Sequence, residues 1–136
     1  MKLVSLFVAL LTVAAVYAPR SAIAAGKLDP ATPFTCVPTT VWECGDDSNC
    51  ERGTARSEHL PEFFTIDVNA KTLGTNEKGR QSTIERVNRN GDGTVLYGAD
   101  GPRSWVVNIN MKTGNLSASV TGDGESFVIY GVCLPQ

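Results

Sequence analysis

The segment "NRNGDGTVLYGAD", residues 88–100, carries side chains that can bind a metal ion. Asn88, Asn90 and Asp92 occupy alternate positions and a glycine follows, which is similar to the start of a calcium loop of the EF-hand type. The last ligand position of such a loop would fall on Ala99, which cannot bind calcium. Asn-Gly and Asp-Gly between strand-like segments favour a tight hairpin turn instead. We therefore predict a turn here, and no metal ion or other cofactor.

Residues that could carry out catalysis are few. His59 is the only histidine and lies in a polar segment, which favours a surface side chain over a catalytic base. A Ser-His-Asp triad would need His59 to meet a serine such as Ser82 or Ser126. Asp46 and Asp47 are adjacent carboxylates, but their surroundings predict a solvated loop tip. We therefore expect that the chain is not an enzyme, although an enzyme of unrecognised type stays as a further hypothesis.

Better candidates for contacts with a partner lie in "YGADGPR", residues 97–103. Tyr97 and Arg103 are of the types most often found as binding hot spots, and Asp100 lies between them. Two glycines and a proline in the same segment would hold its shape and lower the cost of ordering it. The alternative is a hairpin turn with ordinary surface residues. We predict Tyr97, Asp100 and Arg103 as binding residues.

Four cysteines indicate a disulfide-stapled domain. An even number in a small exported chain favours two disulfides, for which three pairings exist. We favour Cys44 with Cys50, because "CGDDSNC" is a short polar loop that can close on itself. That choice leaves Cys36 with Cys133, which would join the first strand to the last. A zinc site is the alternative, but the spacing lacks a CxxC pair.

The beginning of the chain has the pattern of a secretory signal peptide. Lys2 precedes an apolar stretch too short for a comfortable membrane span, and "AIA" ends at Ala24 as a cleavage pattern. We predict a signal peptide at 1–24, a flexible lead-in at 25–33 and a single domain at 34–136. The signal and the disulfides together predict a periplasmic or secreted protein with no membrane span.

Removing the signal peptide changes the charge balance of the chain. Lys2 and Arg20 are lost with it, which leaves 10 basic and 14 acidic side chains and a formal net charge of −4. This balance disfavours a nucleic-acid partner and allows a basic protein partner. We expect the protein to be a monomer.

The elements that must position these residues are short strands. Apolar and polar residues alternate in "FFTIDV" (63–68), "SWVVNIN" (104–110) and "NLSASVT" (115–121), as in half-buried strands. "SFVIYGVC" (126–133) is apolar on both faces and predicts a more central strand. Residues 49–64 leave room for one helical turn before a proline. The strands predict an all-β fold.

Short connections between the strands favour an antiparallel meander. We predict a closed or nearly closed barrel of seven to eight strands, stapled by the disulfides, with a filled interior. Closure would also make the first and last strands neighbours and remove exposed edges. Trp42 and Trp105 are expected in the core, and the alternative places one of them at the mouth of the barrel.

The two-disulfide frame, the meander and the terminal "YGVC" resemble the small bacterial envelope β-barrels that inhibit c-type lysozyme. The resemblance extends from Cys36 to Cys133 in general strand and turn order. That family inserts a loop carrying Ser and Tyr into the lysozyme cleft. "YGADG" at 97–101 has the tyrosine but no serine before it, so no functional residue can be carried over.

The sequence therefore predicts an exported small β-domain that binds or inhibits another protein through loops at one end of the barrel. The alternative function is a lipocalin-like carrier of a small apolar ligand. The two differ in what they need from the interior: the first needs a packed barrel with exposed aromatic side chains on its loops, and the second needs an open interior lined by apolar side chains.

Overall fold

The computed structural model describes residues 26–47, 49–75 and 79–136, so the predicted signal peptide lies outside the described residues. These residues form ten strands and no helix, and therefore no helix that could cross a membrane. The strands are β1 (Phe34–Cys44), β2 (Cys50–Gly53), β3 (Phe64–Asp67), β4 (Thr72–Thr75), β5 (Gln81–Thr83), β6 (Arg86–Asn90), β7 (Gly93–Asp100), β8 (Arg103–Asn110), β9 (Asn115–Gly122) and β10 (Glu125–Pro135).

One antiparallel sheet contains all of the strands. Nine of them follow the order β5-β4-β3-β1-β10-β9-β8-β7-β6, and β2 pairs with β1 beside this path. The sheet curves into an open half-barrel. The prediction of an all-β antiparallel fold is confirmed. The prediction of a closed or nearly closed barrel of seven to eight strands is wrong on both points, because the path is open between β5 and β6 and contains nine strands.

The extra strands are short and lack the alternation that marks a strand in a sequence. β2, β4 and β5 read "CERG", "TLGT" and "QST", and their side chains are exposed or partly buried. The two edge strands β5 and β6 follow each other in the chain, separated by Ile84 and Glu85. Ile84 N donates to Lys71 O (2.9 Å) and Glu85 N donates to Tyr97 O (2.8 Å). The continuous segment β5–β6 thus pairs first with β4 and then with β7. No local sequence pattern indicates this change of pairing partner.

The two longest strands, β1 and β10, lie side by side at the centre of the path. Cys36 and Cys133 are register partners on these strands and form a disulfide, with a Cα–Cα distance of 3.9 Å. Cys44 and Cys50 form the second disulfide, between β1 and β2. Both predicted pairings are confirmed.

The core lies on the concave face of the sheet. The alternating residues that the sequence predicts as inward-facing are buried, and only Val120 is partly exposed. They are Phe64, Ile66, Val68, Trp105, Val107, Ile109, Leu116 and Ala118.

The two tryptophans lie on opposite faces of the sheet. Trp105 is in the core, but Trp42 is 38% exposed on the outer face, near Tyr130, which is 49% exposed. The core prediction for Trp42 is therefore wrong. Its neighbour Val41 is fully buried, and because successive side chains of a strand point to opposite faces, Trp42 must face outward.

One end of the half-barrel, here called the closed end, contains the turns β3–β4, β6–β7 and β8–β9. Leu28 packs into the core there, is 1% exposed, and its N donates to Met111 O (2.8 Å). Asn69 Nδ2 donates to Ala31 O (3.0 Å). The segment predicted as a lead-in therefore adds an apolar side chain to the core and covers this end.

Candidate ligand-binding site

A cavity of about 140 Å³ lies at the opposite end of the half-barrel, here called the mouth. Inner-face side chains of the sheet and residues 54–61, the mouth loop, surround it. Its walls are mainly apolar and include Leu60, Phe64, Leu73, Trp105, Val107 and Ile129, while its rim includes His59, Arg80, Asp100 and Arg103. The sequence predicted a filled interior. The inner face instead leaves space for a small group beside its apolar side chains.

A wider groove of about 590 Å³ crosses the outer face of the sheet. Its lining includes Thr39, Asn108, Asn110, Ser117 and Tyr130, and it is more open to solvent than the mouth cavity. An open groove removes little ligand surface from water, whereas ligand sites are concave and mostly apolar. The mouth cavity is therefore the stronger candidate site.

The β7–β8 hairpin forms part of the rim because its turn is very tight. Gly101 has a φ of 61° and Pro102 follows it, which suits a two-residue turn of type II′. Asp100 and Arg103 then become register partners at the end of the hairpin, and both line the cavity. The sequence-predicted turn at 97–103 is present, with only two residues outside the strands.

Trp105 forms part of the wall and lies against the backbone of β7. Its register partner is Gly98. A Cβ atom at position 98 would lie 2.2 Å from Trp105 Cζ2 and 2.6 Å from Thr83 O, so only glycine leaves room for the indole. Trp105 Nε1 is buried and has no hydrogen-bond acceptor in the part of the chain that the structure describes. A buried N–H donor without an acceptor is rare in folded proteins.

Two ion pairs stand on the rim. Arg80 Nη2 lies 2.9 Å from Asp100 Oδ2, and Arg80 Nε lies 3.3 Å from the same oxygen. Arg103 pairs with Glu125 at the start of β10. All four side chains are partly exposed, so these pairs contribute little to stability. Because of these two ion pairs, each arginine on the rim already has a carboxylate beside it.

The mouth loop folds through its own hydrogen bonds and contains no helix. Glu58 N donates to Thr54 O (3.1 Å) and Leu60 N donates to Ala55 O (2.8 Å). These bonds form consecutive turns where the sequence left room for one helical turn. His59, with a φ of 54°, ends the turns and is exposed, as predicted for a surface residue.

A pair of carboxyl groups connects the mouth loop to β1. A hydrogen bond to Glu58 raises the pKa of Glu43, and desolvation and the negative charges of Glu58, Glu125 and Glu51 raise it further. The pKa of Glu58 is lowered, first by the hydrogen bond from Ser57 Oγ (2.6 Å) and then by that from Glu43. Opposite shifts of this kind are expected when two carboxyl groups share one proton.

The structure separates the three predicted binding residues. Asp100 and Arg103 meet on the rim, but Tyr97 faces outward and lines a different surface depression with Glu85 and Val106. Three positions separate Tyr97 from Asp100 along β7, and an odd separation reverses the face of a strand. The partners Arg80 and Glu125 were not predicted, because no local pattern links them to the hairpin.

The opening segment of the sequence forms the β6–β7 hairpin. Asn90 pairs with Gly93, and Gly91 has a φ of 58°, so the predicted turn is confirmed. Among the described residues, no group of three or more His, Cys, Asp or Glu side chains could hold a metal ion. The absence of calcium binding stays a prediction.

Comparisons with protein-family models, curated proteins and solved structures find no match to this chain. The resemblance to lysozyme inhibitors therefore stays a prediction.

Proposed function

We propose that the protein binds a small apolar ligand in the mouth cavity, which is the carrier function predicted from the sequence as the alternative. The mouth cavity itself, with apolar walls and a polar rim, carries this proposal. Ligand sites commonly combine an apolar lining with a few placed polar groups. An apolar cavity of about 150 Å³ in another protein accommodates benzene. A ligand would therefore bury one ring-sized group here and leave any larger part at the rim.

The mouth loop supports this proposal because it is already folded over the cavity. Hydrogen bonds within the loop hold its shape, and Leu60 and Pro61 contribute to the lining. A preformed wall lowers the entropy cost of binding, since little of the loop must become ordered when the ligand enters.

A cavity-filling substitution tests the proposal. Ala118 lines the cavity and is buried, whereas Ala99 is exposed on the neighbouring hairpin. Millimolar toluene should raise the melting temperature of the unsubstituted protein, because a ligand that binds only the folded state stabilises it. Ala118→Leu should abolish the rise, and the matched control Ala99→Leu should keep it. Equal rises in both variants would place toluene elsewhere and refute the proposal.

Binding of a basic protein through the loops at the mouth is a second candidate function. Three carboxylates, Glu51, Glu58 and Glu125, lie close enough to Glu43 for their negative charges to raise its pKa. Phe63, which follows the mouth loop, is 46% exposed. Aromatic anchors with complementary charge are typical of protein interfaces. These features support the predicted binding or inhibition of a basic partner, with c-type lysozyme as the first protein to assay.

Single substitutions on the two faces of the β7–β8 hairpin test this second function. If the rim binds lysozyme, Arg103→Ala should change the inhibition and Tyr97→Ala should not, because only Arg103 lies on the rim. Inhibition at micromolar protein that falls as salt increases would support a charge-guided interface. Undiminished lysozyme activity at that concentration would reject the second function and leave the carrier proposal intact.

A further inference from the structure

The wide groove on the outer face of the sheet, here called the outer groove, is lined by no charged side chain of the described residues. Its polar lining consists of uncharged hydroxyl and amide groups, and these include Thr39, Asn108, Asn110, Asn115 and Ser117. A charged ligand that gave up water here would find no countercharge, and that loss is costly. The outer groove therefore favours an uncharged ligand with many hydrogen-bonding groups.

The amide side chains supply both donors and acceptors to the outer groove. Asn110 Oδ1 accepts hydrogen bonds from Lys112 N and Thr113 N, each at 3.0 Å, which holds this amide in place. Its Nδ2 has no partner in the part of the chain that the structure describes. Gly93, the register partner of Asn110, has no side chain and leaves the space beside this amide open. A donor held in place in this way costs little entropy when a ligand binds.

An exposed aromatic ring borders these polar groups. Tyr130 lines the outer groove and is 49% exposed. Ser117 is its register partner, and Ser117 in turn is the register partner of Asn108. Register partners on neighbouring strands share a face of the sheet, so the ring, a hydroxyl and an amide form one row across β10, β9 and β8. Sugars use such a row fully, because the C–H face of a sugar ring packs on an aromatic ring while its hydroxyls bond to polar side chains.

The openness of the outer groove suits a chain-like ligand better than a second protein surface. A ligand longer than the groove can leave both of its ends in water. A second copy of this chain would bring the same concave surface to the contact, and two facing grooves would leave the space between them unfilled. Stable protein interfaces are instead packed as densely as protein interiors.

We infer that the outer groove binds an uncharged oligosaccharide, with one sugar ring on Tyr130 and sugar hydroxyls bonded to Asn108, Asn110 and Ser117. The outer groove and the mouth cavity lie on opposite faces of the sheet. The inference therefore goes beyond the carrier function and does not depend on it.

Titration of the disulfide-intact protein with hexasaccharides tests the inference. The uncharged probes are cellohexaose, maltohexaose, mannohexaose and N-acetylated chitohexaose, each at up to millimolar concentration. In nitrogen-15 NMR spectra, at least one of them should shift the side-chain amide resonances of Asn108 and Asn110. The deacetylated form of chitohexaose has the same chain but is cationic in slightly acidic buffer, and it should bind more weakly than the N-acetylated form. Equal or tighter binding of the cationic form would overturn the choice of an uncharged ligand.

Substitutions inside and outside the outer groove give matched pairs. Tyr130→Ala removes the ring and Asn108→Ala removes an amide, and each should weaken binding of the responding probe about tenfold. Tyr97→Ala and Asn88→Ala remove the same two kinds of side chain from positions that do not line the outer groove, and should leave the affinity unchanged. If Tyr130→Ala does not fold, the comparison of Asn108→Ala with Asn88→Ala decides.

Three results would overturn the inference. The first is the failure of all four uncharged probes to shift the groove resonances. The second is sugar binding that Ala118→Leu abolishes, which would place the sugar in the mouth cavity. The third is a doubled mass in sedimentation at micromolar protein that Tyr130→Ala returns to the monomer value, which would make a second copy the occupant. Stabilisation by toluene would distinguish each of these results from a failure of the carrier function.

Discussion

The two ends of the half-barrel differ in what covers the inner face of the sheet. At the closed end, Leu28 packs on the β8–β9 turn and adds an apolar side chain to the core. At the mouth, two ion pairs and the mouth loop surround a cavity. An apolar side chain can fill the space over an apolar core, whereas paired charges must stay near water. The mouth therefore stays available to a ligand.

The two disulfides lie toward opposite ends of the half-barrel. Cys36–Cys133 is buried, closes a sequence separation of 97 and lies toward the closed end, where Cys133 N donates to Gly114 O in the β8–β9 turn. Cys44–Cys50 closes a separation of only 6 and lies toward the mouth. Long-range covalent and apolar contacts thus concentrate stability at the closed end. Substitutions at the two ends test this contrast, and the largest loss of stability is expected at the closed end.

Removing the buried disulfide should cause the largest loss of stability. For Cys36→Ala with Cys133→Ala, we expect the free energy of unfolding to fall by about 4 to 5 kcal/mol, because the unfolded chain regains the entropy of a long open loop. Denaturant titration of the double variant against the oxidised protein measures this. A loss as small as that for the mouth disulfide would contradict the proposed division.

Shortening Leu28 should have the next largest effect. Leu28→Ala shortens a side chain that is 1% exposed in the core and should cost about 3 kcal/mol, near the lower part of the range for buried leucines. The matched control is Leu73→Ala, since Leu73 is partly buried and already borders the mouth cavity. Chemical denaturation should show a clearly smaller loss for Leu73→Ala. Equal losses would mean that the two ends are packed alike.

Removing the mouth disulfide should have a moderate effect. Cys44→Ala with Cys50→Ala should lower the free energy of unfolding by about 2 kcal/mol, because the loop that the bond closes is short. Thermal unfolding followed by circular dichroism measures the loss. Toluene should still stabilise this variant, because neither cysteine lines the cavity. Loss of toluene binding here would show that β2 supports the cavity wall.

The smallest expected effect concerns the carboxyl pair at the mouth. The raised pKa of Glu43 means that the folded protein binds this proton more tightly than the unfolded chain does. Protonation of Glu43 therefore stabilises the folded state at low pH, and this stabilisation is lost as pH rises through the raised pKa. The lowered pKa of Glu58 acts oppositely, and its contribution is lost as pH falls through the lowered value.

Glu43→Gln keeps a hydrogen-bond donor beside Glu58 at every pH. We expect a slightly higher melting temperature than that of the unsubstituted protein at neutral pH, and no difference at a pH below the raised pKa of Glu43. The control Glu51→Gln removes one nearby charge without removing the shared proton. A pH-independent difference for Glu43→Gln would argue against the shared proton.

Much of the interior could be predicted from local pattern. Alternation assigned the inward-facing residues of β3, β8 and β9, such as Phe64 and Leu116, because a strand reverses the face of each successive side chain. Asn-Gly and Asp-Gly identified the hairpin turns for a similar reason, since glycine readily adopts positive φ. The same strand period places Tyr97 and Asp100, which are three positions apart on β7, on opposite faces of the sheet.

The composition of the site could be predicted only in part. Asp100 and Arg103 were identified from residue type and a local turn, and both lie on the rim. Arg80 and Glu125, which pair with them, come from other hairpins, and the sequence contains no signal for such distant contacts. Trp105 could also be predicted only in part. Its place in an alternating strand predicts a buried side chain, but nothing in the sequence indicates that a cavity lies beside it.

The sequence by itself determined the all-β class, the two disulfides and most of the inner face, because each depends on residue type, spacing or strand period. Only the tertiary structure decided that the sheet stays open, that Leu28 covers one end and that a cavity bordered by Trp105 lies at the other. These features depend on which distant strands become neighbours and how well their side chains fill the space between them. Packing of that kind is a property of the assembled sheet, and no single segment encodes it.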